Sequence, residues 1–160
     1  MHILKIIPFV LTFFVLGCAS VPKADVEVSN KVKQVSAPSA GNAGIYVYRS
    51  NNIIGSALKK DIWIDGECLG ESARGVFFFK EVVGDKEHTI STESEFSPNH
   101  LKLITNSGKN YFIQQFIKPG VLVGGADLKE VDEIDAKEVI AQYDLAINGT
   151  CSKNTISELN

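Results

Sequence analysis

From Gly44 onward the chain alternates short β-prone runs with tight turns, and no other feature narrows its fold as much. The runs are residues 45–49 (IYVYR), 61–65 (DIWID), 67–71 (ECLGE), 76–82 (VFFFKEV), 87–95 (EHTISTESE), 101–105, 111–117 and 128–131. Runs of this length, rich in β-branched and aromatic residues and bounded by turn formers, read as strands of an all-β domain. Asp65-Gly66 between two runs is a tight-hairpin signal, because both turn positions need φ > 0. Asn106-Ser107-Gly108-Lys109 marks a second hairpin turn.

The alternation within the runs indicates layers. Glu87, Thr89, Ser91, Glu93 and Glu95 line one face of their run while Ile90 and Phe96 share the other, so that strand has a wet side. By contrast IYVY, FFF and YFI are apolar at successive positions, which strands show when both faces are packed. One covered face comes from a second sheet, and a helix supplies the other. Asp132 has the character of an N-cap, with Asp135 where a capping-box acid would sit. Behind it, residues 133–143 place Val139, Ile140 and Tyr143 on one stripe, which predicts a surface helix packed on the sheet. The expected fold is mainly β: a two-sheet antiparallel β-sandwich with one C-terminal α-helix.

Ahead of the domain, Lys5 precedes an apolar run, residues 6–16, that is too short for a permanent span of about 20 residues but suits a secretory leader. The run ends Val15-Leu16-Gly17-Cys18, which resembles the lipobox of bacterial lipoproteins. That resemblance implies cleavage after Gly17, a diacylglyceryl thioether on Cys18 and acylation of the freed amine. Several buried acyl chains, at about 0.8 kcal/mol per CH₂, make such an anchor effectively permanent. Ala19 after the lipidated cysteine implies, by the same resemblance, sorting to the outer membrane, facing the periplasm of a Gram-negative cell. Losing Lys5 with the leader leaves 15 basic against 19 acidic side chains. No basic excess points to nucleic acid, and no basic cluster points to anionic lipid, so membrane contact is expected through the lipid alone. Residues 19–43 contain no aromatic residue, and Val26, Val28, Val32 and Val35 are sparse. The expected organisation is therefore a leader (1–17), the lipidated cysteine with a flexible tether (18–43), a β-sandwich domain with its helix (44–147) and a polar tail (148–160).

The domain itself carries a second resemblance. Gly44-Ile45-Tyr46-Val47-Tyr48-Arg49, Trp63-Ile64-Asp65-Gly66, Leu69-Gly70, Gly84, His88 and Gly108-Lys109-Asn110-Tyr111-Phe112 together resemble the bacterial family called domain of unknown function 2846, many of whose members are lipoproteins. The segment from Ile64 to Ile90 is also similar to PEGA-type modules. These motifs mark turns and core, and the resemblance implies no activity.

The residues offer little that points to chemistry. His88 alternates with Ile90 on a strand and reads as structural, and His100 lies in a Ser-Pro-Asn-His turn. No spacing suggests a Ser-His-Asp triad, a metal cluster or a phosphate-binding glycine loop, so catalytic residues, metal and cofactor are all expected to be absent. Glu93 and Glu95, about 7 Å apart on one strand face, support an alternative reading as the acid and base of a small periplasmic hydrolase. Val121, Leu122 and Val123 stand between glycines as a candidate docking edge. The reading that follows is a non-catalytic envelope lipoprotein that presents a surface to an envelope protein or to peptidoglycan.

With Cys18 acylated, Cys68 and Cys151 remain in an oxidising compartment, where a disulfide is expected to staple the polar tail to the sheet. The alternative is a buried, reduced Cys68 and a loose Cys151.

Overall fold

Nine strands and two helices make up the described part of the chain, residues 19–153, in a computed structural model. The expected leader, the lipidation candidate Cys18 and the tail beyond residue 153 lie outside the described residues. The elements in chain order are α1 (Val26–Val32), β1 (Asn42–Arg49), β2 (Lys60–Ile64), β3 (Glu67–Ser72), β4 (Val76–Val83), β5 (Glu87–Thr92), β6 (Asn99–Ile104), β7 (Asn110–Lys118), β8 (Gly125–Val131), α2 (Glu133–Ile140) and β9 (Asp144–Leu145). The strands form a five-stranded sheet in the order β8-β7-β1-β4-β9 and a four-stranded sheet in the order β3-β2-β5-β6.

Period-two alternation assigns each sheet's inner face. Ile45 and Val47 of β1, Phe78 of β4 and Ile113 of β7 meet Ile62 and Ile64 of β2, Leu69 of β3 and Ile90 of β5 in the core between the sheets. The intervening residues Tyr46, Tyr48, Phe77 and Phe112 point to the opposite face of the five-stranded sheet and form a second cluster. The rings of Tyr46 and Phe112 lie 5.1 Å apart and those of Tyr46 and Phe79 lie 4.6 Å apart, distances at which aromatic pairs attract. The doubly apolar runs thus mark strands packed on both faces. The mainly β, two-sheet architecture with a C-terminal helix is the one present.

Two features of the expected architecture are corrected. The five-stranded sheet is mixed: β1 pairs in parallel with β7, and β4 in parallel with β9. The chain crosses to the four-stranded sheet between β4 and β7, then returns beside β1, and an apolar pattern carries no information about strand direction. The described part of the 18–43 segment is not a flexible tether. Val21 and Val35 are buried, Lys23 bridges Ala146, and the side chain of Ser29 accepts the N–H of Leu145 at 3.2 Å. The cause is area: the outer aromatic face is wider than one eight-residue helix covers, so α1 and its flanks cover the remainder.

Smaller differences have local causes. The strand expected over 87–95 ends at Thr92, and the helix expected over 133–143 ends at Ile140, followed by the short strand β9. Asp132 caps α2 by accepting the N–H of Ile134 at 2.8 Å. Asp65 and Gly66 have φ of 54° and 83°, the left-handed pair that a tight hairpin requires.

Candidate functional site

Three loops meet at one end of the sandwich. Because β1 and β7 run parallel, residues 50–59 after β1 and residues 119–124 after β7 leave at the same end. A Cβ added at Gly124 would lie 2.8 Å from Leu58 Cδ1, and one at Gly55 would lie 2.6 Å from Ile117 Cγ1, so glycine lets the first loop touch the second and the end of β7. Residues 93–98, between β5 and β6, join them through Glu95. Its carboxylate accepts the backbone N–H groups of Val121 (2.7 Å), Leu122 and Val123 (3.1 Å).

A second ion holds the first loop. Arg49 is buried, and its guanidinium donates to the carbonyls of Leu58 (2.7 Å), Ser72 (3.2 Å) and Gly55. Burial pushes its pKa down to about 10, so it remains charged at neutral pH. Both ions satisfy main-chain groups of loops that carry exposed apolar side chains. Val121 is 82 %, Leu122 83 %, Phe96 74 % and Ile53 82 % exposed, with Ile54 and Val123 exposed beside them. These six form an apolar tip, of which the sequence singled out only Val121, Leu122 and Val123. The missed signal was local: Ile53 and Ile54 stand among Asn51, Asn52 and Gly55, where apolar residues have no strand pattern to join.

The carboxylate pair is separated in role. Glu93 and Glu95 both lie beyond the end of β5 and border a cavity of about 130 Å³, below the roughly 300 Å³ at which small-molecule sites begin. The amide of Leu122, then those of Val121 and Val123 and the charge of Lys60, hold the Glu95 carboxyl below the usual carboxylate range against partial desolvation. A general acid needs a shift in the other direction. Glu95 is thus built into the loop.

Elsewhere, the motif residues Asp65 and His88 meet. The buried ring of His88 places Nδ1 2.6 Å from Asp65 Oδ2 and Nε2 2.8 Å from the Val83 carbonyl, clipping the β2–β3 turn to the end of β4. Desolvation raises the Asp65 pKa, but its bonds to His88 and to the Thr89 N–H prevail and hold it low. Ser91 Oγ lies 2.7 Å from Nδ1 of its cross-strand partner His100. Among the described residues no carboxylate orients that imidazole, as a nucleophile–base pair would require. Nor do three His, Cys, Asp or Glu side chains gather as metal ligands among them. Two shallow hollows, of about 520 and 410 Å³, flank α2 and α1.

Cys68 and Cys151, far apart in sequence, are joined in a disulfide with Cα atoms 6.1 Å apart. It closes a loop spanning 83 positions, a constraint that chain-entropy arguments value at roughly 4 kcal/mol.

Fold and surface together define a small two-sheet β domain, helix-covered on one face, whose most exposed feature is an apolar loop tip. Residues 39–126 match the model of the family described as "Protein of unknown function (DUF2846)", and the chain belongs to that family. It is also 52 % identical over 132 residues to an "Uncharacterized protein" of Haemophilus influenzae, an alignment covering 82 % of this chain and 77 % of the relative.

Proposed function

We propose that this protein is a lipid-anchored, non-catalytic envelope protein that presents its apolar tip to a partner in the bacterial cell envelope. In this reading Cys18 carries the acyl chains, the protein sits in the outer membrane facing the periplasm, and the tip contacts an envelope protein or peptidoglycan-associated surface. The observation that carries it is the convergence of three loops on one outward apolar surface, with main-chain groups of two of them held by the ions Arg49 and Glu95. Loops whose polar main chain is already satisfied lose little when a partner excludes water from them. The lipobox resemblance supports the anchor, and the disulfide suits an oxidising compartment.

The path of the chain supports an orientation. Ala24 donates to Leu145 and Ile147 donates to Pro22, so residues 21–24 pair antiparallel with the chain that leaves β9, and stepping back from 24 to 21 follows that chain. Since β9 starts beside Val76, at the tip end of β4, the step back toward Cys18 leads away from the tip. It also starts at the sheet edge opposite β8. An anchored molecule of this kind holds its tip away from its own bilayer.

Two variants test the halves of the reading separately. Cys18→Ser is expected to move the protein out of the detergent phase and to remove the acyl mass. Unchanged partition and mass would overturn the anchor. Leu122→Asp is expected to keep the fold and the anchor but to abolish binding to envelope material, and full retention of that binding would overturn the role of the tip.

A further inference from the structure

Residues 148–153 have no apolar pattern to hold them down, yet the structure fastens them across the four-stranded sheet. Gly149 donates to the Leu69 carbonyl at 2.8 Å, and the Thr150 carbonyl accepts the Glu71 N–H at 2.6 Å, so this strap extends the β3 edge. One residue on, Cys151 is bonded to Cys68. The carboxylate of Asp61 then accepts three hydrogen bonds, from the Ser152 N–H (3.1 Å), the Ser152 hydroxyl (2.6 Å) and the Lys153 N–H (3.1 Å).

The sheet face beside the strap is unusual for an outer one. Asp61 and Trp63 alternate with the core residues Ile62 and Ile64, so they point away from the sandwich interior, yet both are fully buried. Among the described residues, every hydrogen bond to the Asp61 carboxylate comes from the strap. Trp63 belongs to neither hydrophobic cluster and stands in register with Cys68 and Ser91, and its indole N–H has no acceptor among the described residues. A buried carboxylate and an unpaired indole donor are groups that an uncovered surface would offer to a ligand or to water. Cys68 and Cys151 both keep part of their surface exposed, and access is one condition for thiol–disulfide exchange.

We propose that the strap is a redox-gated cover, locked by the Cys68–Cys151 disulfide and opened by a dithiol reductant. A thiolate of the dithiol attacks Cys151 Sγ, forming a mixed disulfide and expelling Cys68 as a thiolate. The second thiol of the reductant then attacks its own sulfur in that mixed disulfide and releases Cys151. Two electrons pass to the cysteine pair, which takes up two protons, and the reductant leaves as its own disulfide. The strap then loses its covalent tie, and Asp61 and Trp63 open to solvent. The proposal needs only the described chain and holds with or without an acyl group on Cys18.

The test compares the full-length Cys18→Ser protein before and after treatment with dithiothreitol, by residue-resolved amide hydrogen exchange and by fluorescence of Trp63, the single tryptophan. Reduction is expected to speed exchange at residues 149–153 and Glu71 by at least about tenfold while β1 and β4 keep their protection. Trp63 emission is expected to shift to the red, and reoxidation to restore both signals. The double variant Cys68→Ser/Cys151→Ser is expected to match the reduced protein. Unchanged strap exchange after reduction would show that hydrogen bonds alone hold the cover. Loss of protection in β1 and β4 together with the strap would show a staple of the whole fold. Either result overturns the proposal.

Discussion

Arg49 and Glu95 illustrate how single charges shape this molecule: each is matched chiefly with main chain, and each holds an apolar loop. Replacing Arg49 with Met leaves the carbonyls of Leu58, Ser72 and Gly55 without their donor. Unpaired buried acceptors cost about 1–3 kcal/mol each, so a loss of about 3 kcal/mol is expected in urea denaturation, with part recovered by Arg49→Lys. The Glu95 carboxyl has a folded pKa below its ordinary 4.5. Its stabilising effect is therefore complete above that ordinary value and is lost as pH falls through the lower folded one. Amide exchange in residues 121–123, corrected for intrinsic pH dependence, is expected to accelerate as the pH falls through the lowered carboxyl value, while β1 remains protected. The sequence made some of this residue chemistry legible. Asp65-Gly66 announced its turn, and His88 read as structural, because a turn and an alternating strand are local patterns. Arg49 and Asp61 gave no such sign, since a charge at a strand end looks like surface until the distant loop or strap that buries it is known.

At the scale of elements, the outer face of the five-stranded sheet determines what the helices must do. Ile140 is fully buried against Tyr46, Tyr48, Phe77 and Phe112 in the outer cluster, whereas Val139 only packs against its margin. Ile140→Ala is expected to cost about 2–4 kcal/mol, and Ile140→Asp clearly more than Val139→Asp, as read from denaturation midpoints. Equal effects would place the stripe differently from the structure. The runs IYVY, FFF and YFI made the need for two covering layers legible. They left open which residues supply the second layer. Val32 and Val35 are too widely spaced to announce a core, and they contribute because β9 and the aromatic face receive them from outside the segment.

For the whole molecule, Val21 near the start of the described chain and the tip lie at opposite corners. Residues 21–24 lie beside the chain that leaves the β9 edge, while the β7–β8 loop stands at the other edge and the other end. With strands of eight residues at about 3.3 Å each and five strands at about 4.8 Å spacing, the two are separated by roughly 30 Å. Two-sheet architecture was readable from turn spacing, but of the tip only Val121, Leu122 and Val123 were, because it is assembled from three loops distant in sequence. The claim that this tip is the binding surface is tested most directly by placing a photo-crosslinking residue, one position at a time, at Ile53, Phe96, Leu122 and, as controls on other surfaces, Lys102 and Glu138, in protein kept in its native envelope. The account predicts one shared adduct from the three tip positions, lost when Val123→Asp is added, and none from the controls. The same adduct from the control positions, or none from the tip, would contradict it.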